Sequence, residues 1–452
     1  MSQSKPSISN EKSIDLTTNT AGIVSPNPFW LASGPPTNTA DQVMRAFDAG
    51  WGGAVWKTLG EPIVNVSARL GGHDVNGNRL MGLNNIELIT DRPIEINMQE
   101  IEETKKRYPK NAVIVSLMVE SKREAWHEIV KRTCDTGADG IELNFGCPHG
   151  MSERGMGAAV GQVPDYACEI TEWVKEVSTI PVLVKLTPNI SDIRYVARAA
   201  VKGGADGLSL INTINSVIGV DLDRMEVLPT VNGQSSHGGY CGPAVKPIAL
   251  NLLTQITTDK ETRDTPISGI GGITTWKDAL EFLLLGSTSL QVCTAAMHYG
   301  YRIVEDLTDG MVNWMRDRGY NSVSEIRGIL KDQITDWGNL NLNYKVVARI
   351  DPNTCIHCNL CHIACEDGAH QCIEPVIPGV RETPVVDEVE CVGCNLCSLI
   401  CPVDNCITMT RVDENQKSET WRERVERTGS TAAAWEASPI AQSRHGKVMS
   451  KE

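Results

Sequence analysis

The stretch CIHCNLCHIAC (355–365) and its echo CVGCNLCSLICP (391–402) decide the fold of the last third of the chain. Each run reads C-x2-C-x2-C-x3-C, and 25 residues separate the two. That spacing wraps a cubane of iron and sulfide in thiolates, and where two such runs pair, the fourth Cys of each ligates the other cluster. The expected sets are therefore Cys355, Cys358, Cys361 with Cys401, and Cys391, Cys394, Cys397 with Cys365. Glu366 stands in the first run where the second has Pro402, which leaves the ligands intact. Zinc ribbons use pairs of C-x2-C and lack the third and fourth cysteines at these offsets. A disulfide framework needs an oxidising compartment. Two [4Fe-4S] clusters are the reading, and a chain that carries them moves electrons.

Outward from that module, 452 residues allow one large and one small domain. A content of 41% hydrophobic and 22% charged residues is ordinary globular composition. The net charge of -14 argues against nucleic acid or an anionic membrane as partner. Residues 1–20 are polar, with no basic and apolar signal, and no run approaches the roughly 18 apolar residues of a membrane span. Fifteen cysteines without such a signal fit a reducing cytoplasm.

Between residues 21 and 300, short apolar runs alternate with amphipathic ones. The strands expected are Pro28–Ser33, Gly53–Thr58, Ala112–Met118, Gly140–Gly146, Val182–Thr187, Gly207–Asn212, Pro266–Gly271 and Ser289–Thr294. Helices are expected at Ala40–Ala49, Lys122–Asp135, Asp192–Lys202 and Trp276–Leu285, among others. Eight such units predict a (β/α)8 TIM barrel, with a doubly wound sheet as the competing fold. GADGIELN (137–144) echoes GADGLSLIN (204–212), a Gly-ended helix running into a strand each time. The organisation expected is a flexible tail over 1–20, the barrel over 21–300, a helical connector over 301–349, the double-cluster module over 350–411 and a polar tail over 412–452.

Barrel enzymes place their catalytic groups at the C-terminal ends of the strands. Here those ends carry Ser33, Lys57, Asn144 with Cys147, Lys185, Asn212 with Thr213, Gly271 with Gly272, and Cys293 with Thr294. Small residues at the last two ends let backbone N–H groups approach a phosphate. Glycines at a strand end are often only turns, and the place on the seventh strand is what raises GIGG (269–272). Lysine is rarely buried without a partner. Lys57 and Lys185 are either surface or ion-paired lysines, or the counter-charges of an anionic reduced flavin.

NPFWLAS (27–33), LNNIELIT (83–90), ELNFGCPHGMSERGMG (142–157) and VLVKLTPNISDI (182–193) resemble the catalytic domain of the dihydropyrimidine dehydrogenases, within the dihydroorotate dehydrogenase-like FMN barrels. The likeness covers roughly residues 20–300, and the ferredoxin-like double-cluster module matches the same enzymes, including the pyrimidine-reducing subunits of the bacterial two-subunit, NAD-dependent type. It implies FMN contacts from Ser33, Lys57, Lys185, Gly242, Ile270, Gly271, Gly272, Cys293 and Thr294. Pyrimidine contacts are implied from Asn85, Asn144, Phe145, Gly146, Asn212 and Thr213, and proton transfer from Cys147. Gly146 departs from the family's frequent Ser, which removes a hydroxyl beside the substrate and leaves backbone contacts.

Reduction of uracil or thymine adds a hydride at C6 and a proton at C5. A thiol at Cys147 suits the proton, and three asparagine amides match the alternating C=O and N–H edge of a pyrimidine. Cys147 precedes a Gly-rich stretch (149–162) able to act as a lid, whereas Cys134, Cys168, Cys372 and Cys406 read as small buried hydrophobes and His149 as structural. No G-x-G-x-x-G opens a βαβ unit with an acid about 20 residues on. NADH must then be oxidised elsewhere, and the resemblance implies a partner subunit that binds FAD and NADH, in a heterotetramer of two plus two. Two other readings stand beside pyrimidine reduction: dihydroorotate oxidation, and an electron-transfer subunit whose barrel is only a scaffold.

Overall fold

Alternation along the strands explains the barrel. In GIELN (140–144), Ile141 and Leu143 belong to the core between strands and helices, while Glu142 and Asn144 take the opposite face. The computed structural model describes residues 13–61, 69–75, 78–148, 154–415, 417–438 and 441. It divides into two units, residues 1–334 and 335–452.

In the first unit the eight expected strands are all present: β1 (Phe29–Leu31), β2 (Gly53–Leu59), β3 (Ala112–Leu117), β4 (Gly140–Asn144), β5 (Val182–Lys185), β6 (Gly207–Leu210), β7 (Ile267–Ile270) and β8 (Ser289–Val292). They pair in parallel in chain order, and β8 closes on β1 through Leu290–Phe29 and Val292–Leu31. The expected helices form at Ala40–Ala49, Arg123–Asp135, Ile193–Lys202 and Trp276–Leu284. The first starts on the Thr39 hydroxyl, which accepts from Gln42 N, and ends at Gly50 with φ +111°.

The floor of the barrel is apolar. Trp30, Val55, Ile114 and Leu183 fill it from inside, and Ile23 seals it from below. Ile23 sits on a hairpin in which Thr18–Thr20 pairs with Ile23–Ser25, and the Trp30 indole N–H donates to Ser25 Oγ at 2.9 Å. The chain expected as a tail over 1–20 is thus part of the barrel from about Asp15 on, because a barrel with small residues at its lower rim needs a plug. A Cβ on Gly140 would meet Ile23 Cδ1 at 2.5 Å.

A four-stranded antiparallel sheet, absent from the sequence reading, is built from Leu70–Val75, Asn78–Asn85, Gly238–Cys241 and Ile214–Ser216. Its strands are inserted after β2 and β6, so it is assembled from two distant excursions of the chain. Ile303–Asp317 packs Val304, Leu307, Met311 and Met315 into the barrel's core, and the unit boundary falls within the segment expected as a connector.

The second unit is two copies of one half. Lys345–Ile350 pairs antiparallel with Ile407–Asp413, and Ile373–Glu374 with Val385–Val386. Helices Leu360–Gly368 and Leu396–Ile400 each follow a left-handed asparagine, Asn359 and Asn395. Its core is largely sulfur, since Cys361, Cys365, Cys372, Cys391, Cys397 and Cys406 are buried together with Val347, Ala348, Ile373 and Ile407. In the stretch beyond Val412, helices Trp421–Thr428 and Thr431–Glu436 form, each capped by a hydroxyl.

Candidate active site and cluster cavities

Above the apolar floor, the inward positions of the strands turn polar. Glu142 of β4 is fully buried, and its carboxylate lies 3.2 Å from the Lys185 ammonium of β5. Glu142 Oε2 also accepts from Ser209 Oγ of β6 and Gln291 Nε2 of β8, each at 2.8 Å. A carboxylate in such a place is retained only if paired and hydrogen-bonded. Lys57 of β2 has the same arrangement one step outward, with Nζ 2.5 Å from Glu87 Oε1, while Arg69 reaches Glu87 Oε2 at 3.1 Å. Both lysines are thus ion-paired, and both line the cavity above.

Over this layer opens a deep cavity at the C-terminal ends of the strands. Of the residues expected to bind FMN, it is lined by Ser33, Lys57, Lys185, Gly242, Ile270, Gly271, Gly272, Cys293 and Thr294. Of those expected near substrate, Asn85, Asn144, Asn212, Thr213 and Cys147 line it. Phe145 and Gly146 do not. The Phe145 ring is buried edge-on to Trp126, with centroids 6.4 Å apart. Gly146 is there for want of room: a Cβ would stand 2.4 Å from Asn212 Cβ. With this backbone a side chain at 146 would displace Asn212.

The amides are wired to one another. Asn144 Nδ2 donates to Thr58 Oγ1 at 3.0 Å, and its Oδ1 accepts from Asn212 Nδ2 at 2.9 Å and from Gly146 N at 3.2 Å. Thr58 is held in turn by Ser33 and Ser116 at 3.2 and 2.9 Å. Asn85 arrives from the inserted sheet, where its Nδ2 donates to Gly239 O at 3.0 Å. Locked amides present fixed donors and acceptors to a flat heterocycle.

Cys147 follows β4 and is buried beside Ile89, Met118 and Met156. Gly157, at φ +59°, crosses so close that a Cβ would meet Cys147 O at 2.8 Å. Of the Gly-rich stretch after Cys147, residues 149–153, His149 among them, lie outside the described residues. Ala158–Gly161 is a short helix, and Ala158 N donates to Cys147 O at 3.0 Å. Cys241 and Cys293 also line the cavity. Burial pushes the Cys241 thiol up, and burial together with the neighbouring Cys241 sulfur pushes Cys293 up to about 12, so both stay neutral at ordinary pH.

Sequence reasoning missed Glu87, Glu142, Thr58, Gln291 and Cys241. Glu142 was within reach, because it lies two residues before Asn144 and therefore on the same inward face of the strand. Glu87 and Cys241 were not, since the inserted sheet that carries Cys241 and leads into Glu87 follows no barrel periodicity.

The donor set fits a flavin mononucleotide. The glycines Gly271 (φ +131°) and Gly272 (φ +75°) after β7, with Thr294 after β8, occupy the place where barrels of this class hold a phosphate. The two ammoniums and the Ser33 and Thr58 hydroxyls line the same cavity.

In the second unit, two cavities open beside the cysteine runs. One is lined by Cys355, Cys358, Cys361 and Cys401, the other by Cys391, Cys394, Cys397 and Cys365. These are the two interchanged sets expected from spacing. None of the fifteen cysteines is in a disulfide.

A family model described as dihydroorotate dehydrogenase matches residues 15–315, and one described as a 4Fe-4S dicluster domain matches residues 348–409. The chain is 44% identical over 361 residues to the NAD-dependent dihydropyrimidine dehydrogenase subunit PreA of Escherichia coli K12, spanning 80% of this chain and 87% of that protein. It is 41% identical over 335 residues to the chloroplastic dihydropyrimidine dehydrogenase (NADP(+)) of Arabidopsis thaliana, spanning 72% and 79% of the two chains. To the catalytic subunit of dihydroorotate dehydrogenase B (NAD(+)) of Pyrococcus abyssi it is 37% identical over 315 residues, spanning 70% and 98%. With the barrel, the flavin-shaped donor set and the two cysteine cradles in place, the chain belongs to the dihydroorotate dehydrogenase family, as an FMN-dependent oxidoreductase with a C-terminal domain for two [4Fe-4S] clusters.

Proposed function

We propose that this chain is the pyrimidine-reducing subunit of an NAD-dependent dihydropyrimidine dehydrogenase, converting uracil and thymine to their 5,6-dihydro forms in the cytoplasm. The observation that carries the reading is the charge state of the cavity. Each of its lysines is matched by a carboxylate, Lys57 by Glu87 and Lys185 by Glu142. What remains for the substrate is the amide set Asn85, Asn144 and Asn212, which suits a neutral pyrimidine ring. Orotate and dihydroorotate carry a carboxylate, and among the described residues that line the cavity the only cations are these two paired lysines, Arg69 sharing Glu87 with Lys57 from outside the lining. This favours pyrimidine reduction over the dihydroorotate chemistry of the family's name.

FMN, when bound, supplies the hydride that adds to C6. Asn144 and Asn212, fixed by Thr58 and by each other, orient the ring. The Cys147 thiol delivers its proton to C5 as general acid and regains it from solvent. Lys185 offsets negative charge that builds in the ring system above it, and Glu142 sets how much of that charge it offsets. Electrons arrive through the two clusters from a partner flavoprotein that oxidises NADH, in an assembly of two plus two subunits. The E. coli relative is itself described as a subunit, which supports a partner for this chain.

The test is anaerobic. The purified, reduced chain is mixed with uracil or with orotate, and return of the oxidised flavin absorbance is followed. Reoxidation by uracil and not by orotate is the expected result. The reverse would move the chain to dihydroorotate oxidation, and a barrel that purifies without flavin would point to a scaffold.

A further inference from the structure

Each cluster cavity holds a fifth thiol. Cys372 lines the cavity of Cys365, Cys391, Cys394 and Cys397, and Cys406 lines that of Cys355, Cys358, Cys361 and Cys401. Both side chains are buried, at 4% and 2% exposure. As small hydrophobes they would need only to fill space, but Cys372 also contacts a ligand sulfur directly. Cys372 Sγ lies 3.6 Å from Cys365 Sγ, and its backbone N–H donates to the same sulfur at 3.4 Å. The Cys372 thiol also faces the Cys391 sulfur and the Cys406 thiol the Cys401 sulfur, while Cys406 Sγ lies 3.9 Å from Asp351 O.

The two positions are equivalent by backbone. Gln371 and Asn405, directly before them, are left-handed at φ +55° and +59°. Cys372 O accepts from Asp387 N at 2.7 Å and Cys406 O from Asp351 N at 2.8 Å. Those aspartates then accept from the first cysteine of the adjoining run, Cys391 N at 2.9 Å and Cys355 N at 3.0 Å. The fifth thiol is therefore tied by one peptide to the loop that opens its cluster site, and by its sulfur to the fourth cysteine of the opposite run. The same construction occurring twice, each time against a ligand, is a second observation independent of either cysteine alone.

We propose that Cys372 and Cys406 are positioning residues for the two clusters, whose S–H groups hydrogen-bond the ligand sulfurs of Cys365 and Cys401 and raise the reduction potential of the cluster each one faces. Reduction adds negative charge that spreads onto the thiolates, so a donor at the ligand sulfur favours the reduced form. Cys372 has two ligand sulfurs in reach, Cys365 and Cys391.

The experiment uses the full chain with both clusters in place. Cys372→Val keeps the apolar volume and removes the donor, and Cys372→Ser restores a donor. Iron and sulfide content is measured first, then the midpoints by EPR-monitored redox titration. We expect Cys372→Val to lower the reduced-to-oxidised ratio of one cluster about tenfold at fixed potential, roughly 59 mV for one electron, and Cys372→Ser to recover most of it. In pulsed EPR in H2O against D2O, the exchangeable coupling of the thiol proton to the reduced cluster should be lost in the valine variant, while that of the backbone N–H of residue 372 persists. Wild-type midpoints and an unchanged exchangeable coupling in a fully loaded Cys372→Val would overturn the proposal. Should that variant lose iron, Cys406→Val makes the same test on the other cluster, with the same outcomes for and against.

Discussion

At the scale of single residues, the site rests on groups that cannot be exchanged one at a time. Glu142 and Lys185 are both nearly inaccessible, with side-chain exposures of 0% and 7%. Removing one member of such a pair leaves a buried uncompensated charge, so Glu142→Ala should cost about 3–5 kcal/mol, read by denaturant unfolding. Cys147 is a different case, since its side chain packs against Ile89, Met118 and Met156. Cys147→Ala should keep flavin absorbance and stability while uracil-driven reoxidation slows about 10²–10⁴-fold. A variant that kept the wild-type rate would remove Cys147 from the reaction. Of these residues, Lys57, Lys185, Asn144 and Cys147 were legible in the sequence because they end strands. Their carboxylate partners were not, since a pairing across strands is a property of the closed barrel.

At the scale of elements, the turn after β7 shows how a strand end is kept in shape. Asp278, in the first turn of helix Trp276–Leu284, accepts from Thr274 N at 3.0 Å and Thr275 N at 2.8 Å, and pairs with Lys246 at 2.6 Å. It braces the segment that follows Gly271 and Gly272. Burial alone would raise the Asp278 carboxyl, but Lys246 and the two threonines hold it below the usual range. A carboxyl lowered on folding adds stability that is present above its unfolded value and is lost as pH falls through the lower, folded one. Asp278→Asn should therefore be less stable by about 2 kcal/mol at neutral pH. The gap to wild type should close below the ordinary aspartate range, which melting curves from pH 7 to pH 3 would show. A gap independent of pH would assign the effect to packing. Helix Trp276–Leu284 itself was plain from its periodicity, while the inserted four-stranded sheet was invisible. Its strands of three to eight residues come from separate excursions, and no local pattern marks them as partners.

At the scale of the whole molecule, two units carry two kinds of redox group, and cross-ligation in the second can be tested directly. Cys365 is close in sequence to Cys355, Cys358 and Cys361 but lines the cavity of Cys391, Cys394 and Cys397. Cys365→Ala and Cys391→Ala should thus alter the same EPR signal, and Cys355→Ala and Cys401→Ala the other. A signal shared by Cys355→Ala and Cys365→Ala would mean that each run wraps its own cluster. Among the described residues no helix is long and apolar enough to cross a membrane.

By itself the sequence determined the eight strands in order, four of the helices between them, the two cysteine sets, and the strand-end residues that line the cavity. These follow from local rules: period-2 alternation, helix ends, and ligand spacing dictated by a cubane. Only the tertiary structure decided that Ile23 plugs the barrel floor, that Glu87 and Glu142 pair with the two lysines, and that Asn212 closes in on Gly146. It also placed a fifth thiol against each cluster cavity. Each of these is a meeting of residues far apart in the chain, where the cost of burying a charge or a void is settled by whatever side chain arrives from elsewhere.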